Sequence, residues 1–502
     1  KRQPQDYVII TVKYTGIVRP IKILGGLAVV YWCFLLMLDL MIKFFDTLFG
    51  LIMKLPLTLL SVLLMLGCSN NGQAVSNDPV APQQTVTAKP VAPVAVKPAV
   101  IALPNRQFDR LSLQKILQNK PTISKNPLVS NEIAISSPKS ATFTPDGKKL
   151  YVQSLEGYQT VVFDAKTLEK IGVINHQFDA SNQQLFKNGE SSIFGYAYAQ
   201  NRANPNYFLG KPVEATLSHN GRYLWVSYYR RNFDKKAESP SAVAIIDTKT
   251  DKIVRVMPSG PLPKMLATSP DNRYVAVTHW GDNTVGLIDI ARDNPMDFKY
   301  VSHIVIDEQL PMHFGSNVNR DSVCGNCLRG TAFSPDGQKL LVGKMGGNGI
   351  AVIDVPNRQY LGTITGSLLN VRHLVINNGN LIISTNKNGT VQSAPLQDIL
   401  AKPFKNGILH YPNWKNAYVG SGVRTIDVSQ DGRYIFAAVN DVSNVSVIDA
   451  NTMTVIGKID VAQFPVGMAL SPDENQLVIT SQGKAGVIGA GNTVTVFKVN
   501  YR

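Results

Sequence analysis

The stretch Cys324–Val355, CGNCLRGTAFSPDGQKLLVGKMGGNGIAVIDV, decides the fold. An apolar run, Thr331-Ala332-Phe333, leads into Ser334-Pro335-Asp336-Gly337. That tetrapeptide is a turn for a physical reason: Pro presets φ, Asp bonds its own backbone and Gly accepts φ > 0. Lys339–Gly343 and Gly349–Asp354 follow as aliphatic, β-branched runs and predict two further strands.

The unit recurs. Its turn returns as Thr144-Pro145-Asp146-Gly147, Ser218-His219-Asn220-Gly221, Ser269-Pro270-Asp271-Asn272, Asn377-Asn378-Gly379, Ser429-Gln430-Asp431-Gly432 and Ser471-Pro472-Asp473-Glu474. The strand ending in Asp returns as Val162-Phe163-Asp164, Ile245-Ile246-Asp247, Leu287-Ile288-Asp289 and Val447-Ile448-Asp449. Seven units spaced roughly 40–50 residues apart, several strands each, predict a propeller. Each unit is a small sheet with two apolar faces, so it is stable only between neighbours. The last unit lacks a fourth strand, and Glu132-Ile133-Ala134-Ile135 ahead of the first unit is expected to supply it and close the ring.

The pattern SPDG, Arg or Lys, Tyr or Leu, then N-x-V-x-hydrophobic-Ile-Asp resembles the YVTN-type seven-bladed β-propeller family over Asn131–Tyr501. The resemblance implies an all-β, seven-bladed β-propeller over 131–502. It leaves function open, because propellers host unrelated activities. Related propellers include YncE-like periplasmic proteins, bacterial lactonases and haem-binding propellers of the nitrite-reductase type.

The 502 residues are 44% hydrophobic, enough for a large core, and carry a net charge of +15. That charge suits acidic polysaccharide, an anionic membrane or another anionic partner; nucleic acid is not the expected one. Four cysteines, Cys33, Cys68, Cys324 and Cys327, are too few for a disulfide-built scaffold.

Residues 1–52 read as an upstream extension or a membrane anchor, with the apolar run Ile23–Phe45 as the anchor's candidate helix. The chain begins with Lys1, and Met53 is the expected start. Met53-Lys54, the apolar Leu55–Leu66 and Gly67-Cys68 have the design of a secretory signal over 53–67. Met65-Leu66-Gly67-Cys68 resembles a bacterial lipobox, departing from it at two positions, and implies lipidation at Cys68. Ser69 after the cysteine resembles lipoproteins of the outer membrane, so the expected location is the periplasm or cell envelope. Residues 68–104, rich in Pro, Val, Ala, Thr and Gln, are an expected disordered tether. Residues 105–130 are expected to hold a short helix, from the apolar spacing of Phe108, Leu111, Leu113, Ile116 and Leu117, and a lead-in. Asn175–Leu209, Arg230–Ser241 and Ala291–Val323 read as insertions.

Counting five residues back from each turn's Ser or Thr gives Lys139, Val213, Lys264, Arg329, Arg424 and Val466; Arg372 joins them with a one-residue gap. The resemblance implies that this position lies at the mouth of the central channel, so five blades aim a cation there. Such a ring is costly without an anion or good hydration. The loop after the second strand opens on the same face and adds His279, Trp280 and Lys344 as candidate ligand contacts. His279 is a candidate haem ligand or general base; His373, beside Arg372, is an equal one, and His313, in an insertion, a weaker one. Cys324 and Cys327 are expected to form a disulfide, as befits an exported protein. Leu328 after the second cysteine breaks the c-type haem pattern, and no metal site is evident.

The expected function is an exported, lipid-anchored, monomeric binding propeller for an anionic small molecule, envelope protein or polysaccharide. A lactonase-like hydrolase using Arg329, Arg424 and His279, and a haem- or quinone-binding redox propeller, are the alternatives.

Overall fold

The computed structural model describes residues 7–14, 17–24, 111–121, 124–188, 190, 195–196, 203–311, 318–483 and 492–501. The chain forms two compact units, one ending at Ala92 and one beginning at Pro93. In the first, Tyr7–Tyr14 and Ile17–Leu24 pair as an antiparallel hairpin. Cys68, the signal-like segment and the tether lie outside the described residues. Among the described residues no helix is long and apolar enough to cross a membrane.

The second unit is seven antiparallel sheets of four main strands. Their inner strands are Pro138–Phe143, Phe208–Ser218, Pro263–Thr268, Leu328–Phe333, Val371–Asn377, Val423–Val428 and Pro465–Leu470, for blades 1 to 7. Each inner strand neighbours the next, and the seventh returns to the first, so the ring is closed. Burial falls from centre to rim. In blade 6 the second strand, Tyr434–Val439, is buried at every position, while the outer Thr454–Asp460 alternates exposed and half-buried. Apolar side chains of adjacent blades interdigitate in the seams, as Tyr434 and Phe436 do with Leu477 and Phe497. Such a blade cannot bury both faces without its neighbours.

The turns satisfy themselves. Ser334 Oγ donates to Asp336 at 2.5 Å and accepts from Lys339 N–H at 2.9 Å. Ser429 and Ser471 repeat the bond to Asp431 and Asp473, each at 2.6 Å. Blade 5 departs from the pattern. Asn377 pairs with Asn380 across a two-residue turn in which Asn378 (φ 44°) and Gly379 (φ 75°) are both left-handed, a primed hairpin turn shorter by two residues than the others.

An N-terminal strand does complete blade 7, but it is Leu111–Lys120, antiparallel to Thr493–Tyr501. The expected helix there is thus a strand. Leu111 and Leu113 alternate toward Tyr501 and Val499, and a bulge between Lys115 and Leu117 then shifts the apolar set by one; alternation broken by a bulge imitates helical spacing. Glu132–Ile135 is a turn, not the closing strand. It plugs the seam between blades 7 and 1 with Ala134 and Ile135. Part of the third expected insertion is also ordinary blade, since Lys299–Val305 is the outer strand of blade 3.

Candidate functional site

Every inner strand carries a bulge at the same place. In blade 4, Leu328 pairs with Lys344 and Thr331 with Val342, so Arg329 and Gly330 face one partner residue. The same shift follows Pro138, Pro212, Pro263, Val371, Val423 and Pro465. The first bulged residue is, blade by blade, Lys139, Val213, Lys264, Arg329, Arg372, Arg424 and Val466. A bulge re-aims a side chain out of the ladder, here in all seven blades at one level. Arg372 needs no gap in this frame: it stands before Asn377 as Arg329 stands before Ser334, and the shortening of blade 5 lies wholly within the turn that follows.

Hydroxyls of the preceding blade fix most of these positions. Ser227 Oγ donates to the Lys264 carbonyl at 2.8 Å, Thr278 Oγ1 to that of Arg329 at 3.3 Å and Ser384 Oγ to that of Arg424 at 2.6 Å. Thr480 Oγ1 donates likewise to the Lys139 carbonyl. Gly467 sits where a Cβ would collide with that carbonyl at 2.0 Å. The cation-bearing backbone is therefore held from the side, independently of what the cation binds.

The five cations feel one another. Burial first, then Arg424, Arg329 and Arg372, hold the Lys139 ammonium down to about 7 from an ordinary 10.5, against the pull of Glu214. Burial and the charges of Arg329, Lys139 and Arg372 push Lys264 well below its usual range. Arg372 is likewise depressed by burial, Arg329 and Arg424, and Arg424 falls to about 10 through burial and Arg329. Glu214 is the carboxylate common to all four, and its Oε1 accepts from Arg329 Nη2 at 2.7 Å. Asp441 and Asp321 act at the edge, on Arg424 and Lys139 respectively.

Contacts to the other cations are neutral. Lys139 Nζ donates to Gln482 Oε1 at 2.8 Å. Lys264 Nζ lies 3.8 Å from the Tyr229 ring centre and 5.1 Å from that of Trp280. Arg372 Nη1 reaches the Met345 thioether at 3.5 Å. Arg424 lies 4.9 Å over the Phe464 ring, with its buried Nε unbonded. Cation–π contact offsets part of the desolvation cost but satisfies no N–H.

Cys324 and Cys327 are joined as a disulfide. It packs with Met345 and Trp280 against this cluster. Trp280 therefore belongs to the mouth, as a platform under Lys264. His279 does not. Its Nε2 accepts from Gly260 N–H at 3.1 Å and lies 3.0 Å from Ser259 Oγ, while Nδ1 faces Thr284 Oγ1 at 2.8 Å. Fully buried with both nitrogens occupied, it is no haem ligand or base, and burial keeps it neutral. Lys344 also leaves the site, because its ammonium pairs with Asp307 at 2.6 Å and bonds Thr363 at 3.1 Å. His373, beside Arg329 and Arg372, is driven to about 3 chiefly by burial. His313 lies outside the described residues. Among the described residues no His, Cys, Asp and Glu cluster suits a metal.

Sequence reading places Tyr229, Met345 and Gln482 on the mouth face without pairing them to specific cations, and it missed Phe464. Tyr229 sits in a second strand and Met345 and Gln482 just after one, each serving the next blade, so a shift of one blade would have found them.

No family model matches the sequence. Over 80 residues it is 35% identical to Antigen Lp49 of Leptospira interrogans, and the chain spans only 18% of that protein's length. The β-propeller domain of Cps50 (Swd1) from Myceliophteria thermophila superposes with a TM-score of 0.50 at 11% identity, over 78% of this chain and 100% of that one. Hydrazine synthase of Kuenenia stuttgartiensis gives 0.49 at 15%, over 75% and 99%. Taken with the closed ring of seven sheets of four or five strands, the Cps50 likeness places the chain among the seven-bladed β-propellers.

Proposed function

We propose that this protein is an exported, lipid-anchored propeller that binds an anionic ligand at its channel mouth. One observation carries the reading: five buried or half-buried cations converge on a site where Glu214 is the one shared carboxylate. Folding gives no reason for that surplus, since burying like charges together destabilises the chain. Export rests on Met53–Cys68 and is in keeping with the joined cysteines, because disulfides persist in oxidising compartments. Cys68 is the lipid attachment point in this reading. Binding is preferred to hydrolysis or haem chemistry because His279, the base or axial ligand those alternatives need, is sealed by Ser259, Gly260 and Thr284.

Native mass spectrometry of the protein released from its host envelope tests this. The expected result is a bound anionic mass beyond the lipid, lost in Arg329→Ala/Arg424→Ala. A wild-type mass without an adduct, together with cross-linking to an acidic envelope protein through the same arginines, would replace the small ligand by a protein partner. An adduct unchanged in the double variant would remove the channel from the reading.

A further inference from the structure

We propose that the ligand is a compact polyvalent oxyanion, a polyphosphate or polycarboxylate with roughly three or more negative charges, seated on the channel axis among Lys139, Lys264, Arg329, Arg372 and Arg424. This rests on the anion-binding reading above and narrows it.

Supply and demand of charge carry it. Glu214 neutralises Arg329. Of the remaining four cations, Lys139 bonds a neutral amide and Arg372 a thioether, a weak acceptor. Lys264 and Arg424 lie over aromatic rings, and among the described residues neither side chain donates a hydrogen bond. A monocarboxylate has two oxygens, and one bidentate arginine occupies both. It would leave the other cations as they are.

Position gives the second argument. The cations come from blades 1, 3, 4, 5 and 6, so they surround the axis rather than lining one wall. An anion engaging them must carry charge in several directions. It must also be small, because the inner strands that bear the cations pack directly against one another around the ring. Valines at the equivalent positions of blades 2 and 7, with Tyr229, Trp280 and Phe464, leave apolar wall between the charged groups.

The test is calorimetric titration of the full chain with inorganic pyrophosphate, citrate and acetate at pH 8, in buffers of different ionisation enthalpy. Pyrophosphate or citrate should bind roughly 100-fold more tightly than acetate, since each charge-assisted bond adds about a factor of ten or more. Binding should take up protons, because Lys139 faces Arg329, Arg372, Arg424, Lys264, Glu214, Asp321 and Gln482 and regains its charge only against an anion. Lys139→Arg should keep the affinity within about threefold and lower the uptake, and Arg372→Ala should lose about tenfold. The ratio of pyrophosphate to citrate affinity assigns phosphate or carboxylate. Equal affinity for acetate would overturn polyvalency and leave the anion reading standing. No binding of any of the three would overturn both. Unchanged affinity in Arg372→Ala and Arg424→Ala would move the site elsewhere.

Discussion

Each inner strand begins at the channel mouth and ends at a tight turn, and charge is handled in opposite ways at the two ends. Beside the turns, Lys149 pairs with Asp251 at 2.7 Å, Arg222 with Asp247 at 2.6 Å and Lys339 with Asp354 at 2.8 Å. At the mouth five cations share one carboxylate. The turn end is what a repeat needs in order to fold, so its chemistry recurs. The mouth works against folding, so its surplus charge requires another reason. Strain kept at one place by an over-determined scaffold is a usual mark of function.

The sharpest way to break this contrast is to remove the one carboxylate. Glu214→Gln leaves Arg329 buried without a counter-charge, and the apo protein should lose about 3 kcal/mol, as breaking a buried pair does. Urea unfolding at pH 7 measures it, and added pyrophosphate should restore most of the loss. An unchanged midpoint would mean that water already neutralises the ring.

The next effect is a slope with pH. Lys139 sits at about 7 in the fold and at 10.5 when free. Between those values the unfolded chain binds more protons than the folded one, so stability must rise with pH. The penalty is full at and below pH 7 and fades toward 10.5. A gain of roughly 2 kcal/mol from pH 7 to 10 is expected, allowing for partial solvation of the amine. Lys139→Met should flatten it. A flat wild-type curve would show the ammonium to be solvated and the mouth no different from the turns.

On the turn face the sign is ordinary. Asp251 accepts from Lys149 Nζ at 2.7 Å and from Tyr151 OH at 2.6 Å. Asp251→Asn should cost about 1 kcal/mol by thermal unfolding, the worth of a partly exposed charged bond. A gain there would erase the distinction between the two faces.

How much of this was legible in the sequence follows from what repeats. Ser-Pro-Asp-Gly and the strands ending in Ile-Asp recur, so the blades could be counted. The cations stand five residues before each turn because the bulge lies at a fixed distance from it, so the ring could be assembled without coordinates. Arg372 seemed out of line only because Asn378-Gly379 makes a shorter turn. What did not repeat was lost. The bulge at Lys115 disguised the closing strand as a helix, and Lys299–Val305 was hidden behind an irregular lead-in. Lys344 and His279 end second strands at the mouth side, yet Asp307 claims the first from beyond the outer strand of blade 3 and Thr284, directly opposite in the next strand, claims the second. Phe464 reaches Arg424 from the lead-in to another blade, and one sequence carries no signal for such a pairing.

The smallest expected effect has the opposite sign and tests the contrast most directly. Arg424 lies in a buried setting against Phe464, its Nε is unbonded, and Arg329 repels it. Methionine keeps the length of the stem and a favourable contact with the ring, without the charge. Arg424→Met should therefore stabilise the apo protein by about 0.5–1 kcal/mol, since exchanging poorly compensated buried charge for packed apolar volume is neutral to favourable. The same variant should bind pyrophosphate more weakly than wild type. Stability gained where binding is lost is the trade expected of a functional residue. If the variant were instead less stable, the guanidinium would be contributing to the fold, and the mouth would differ from the turn face in detail rather than in kind.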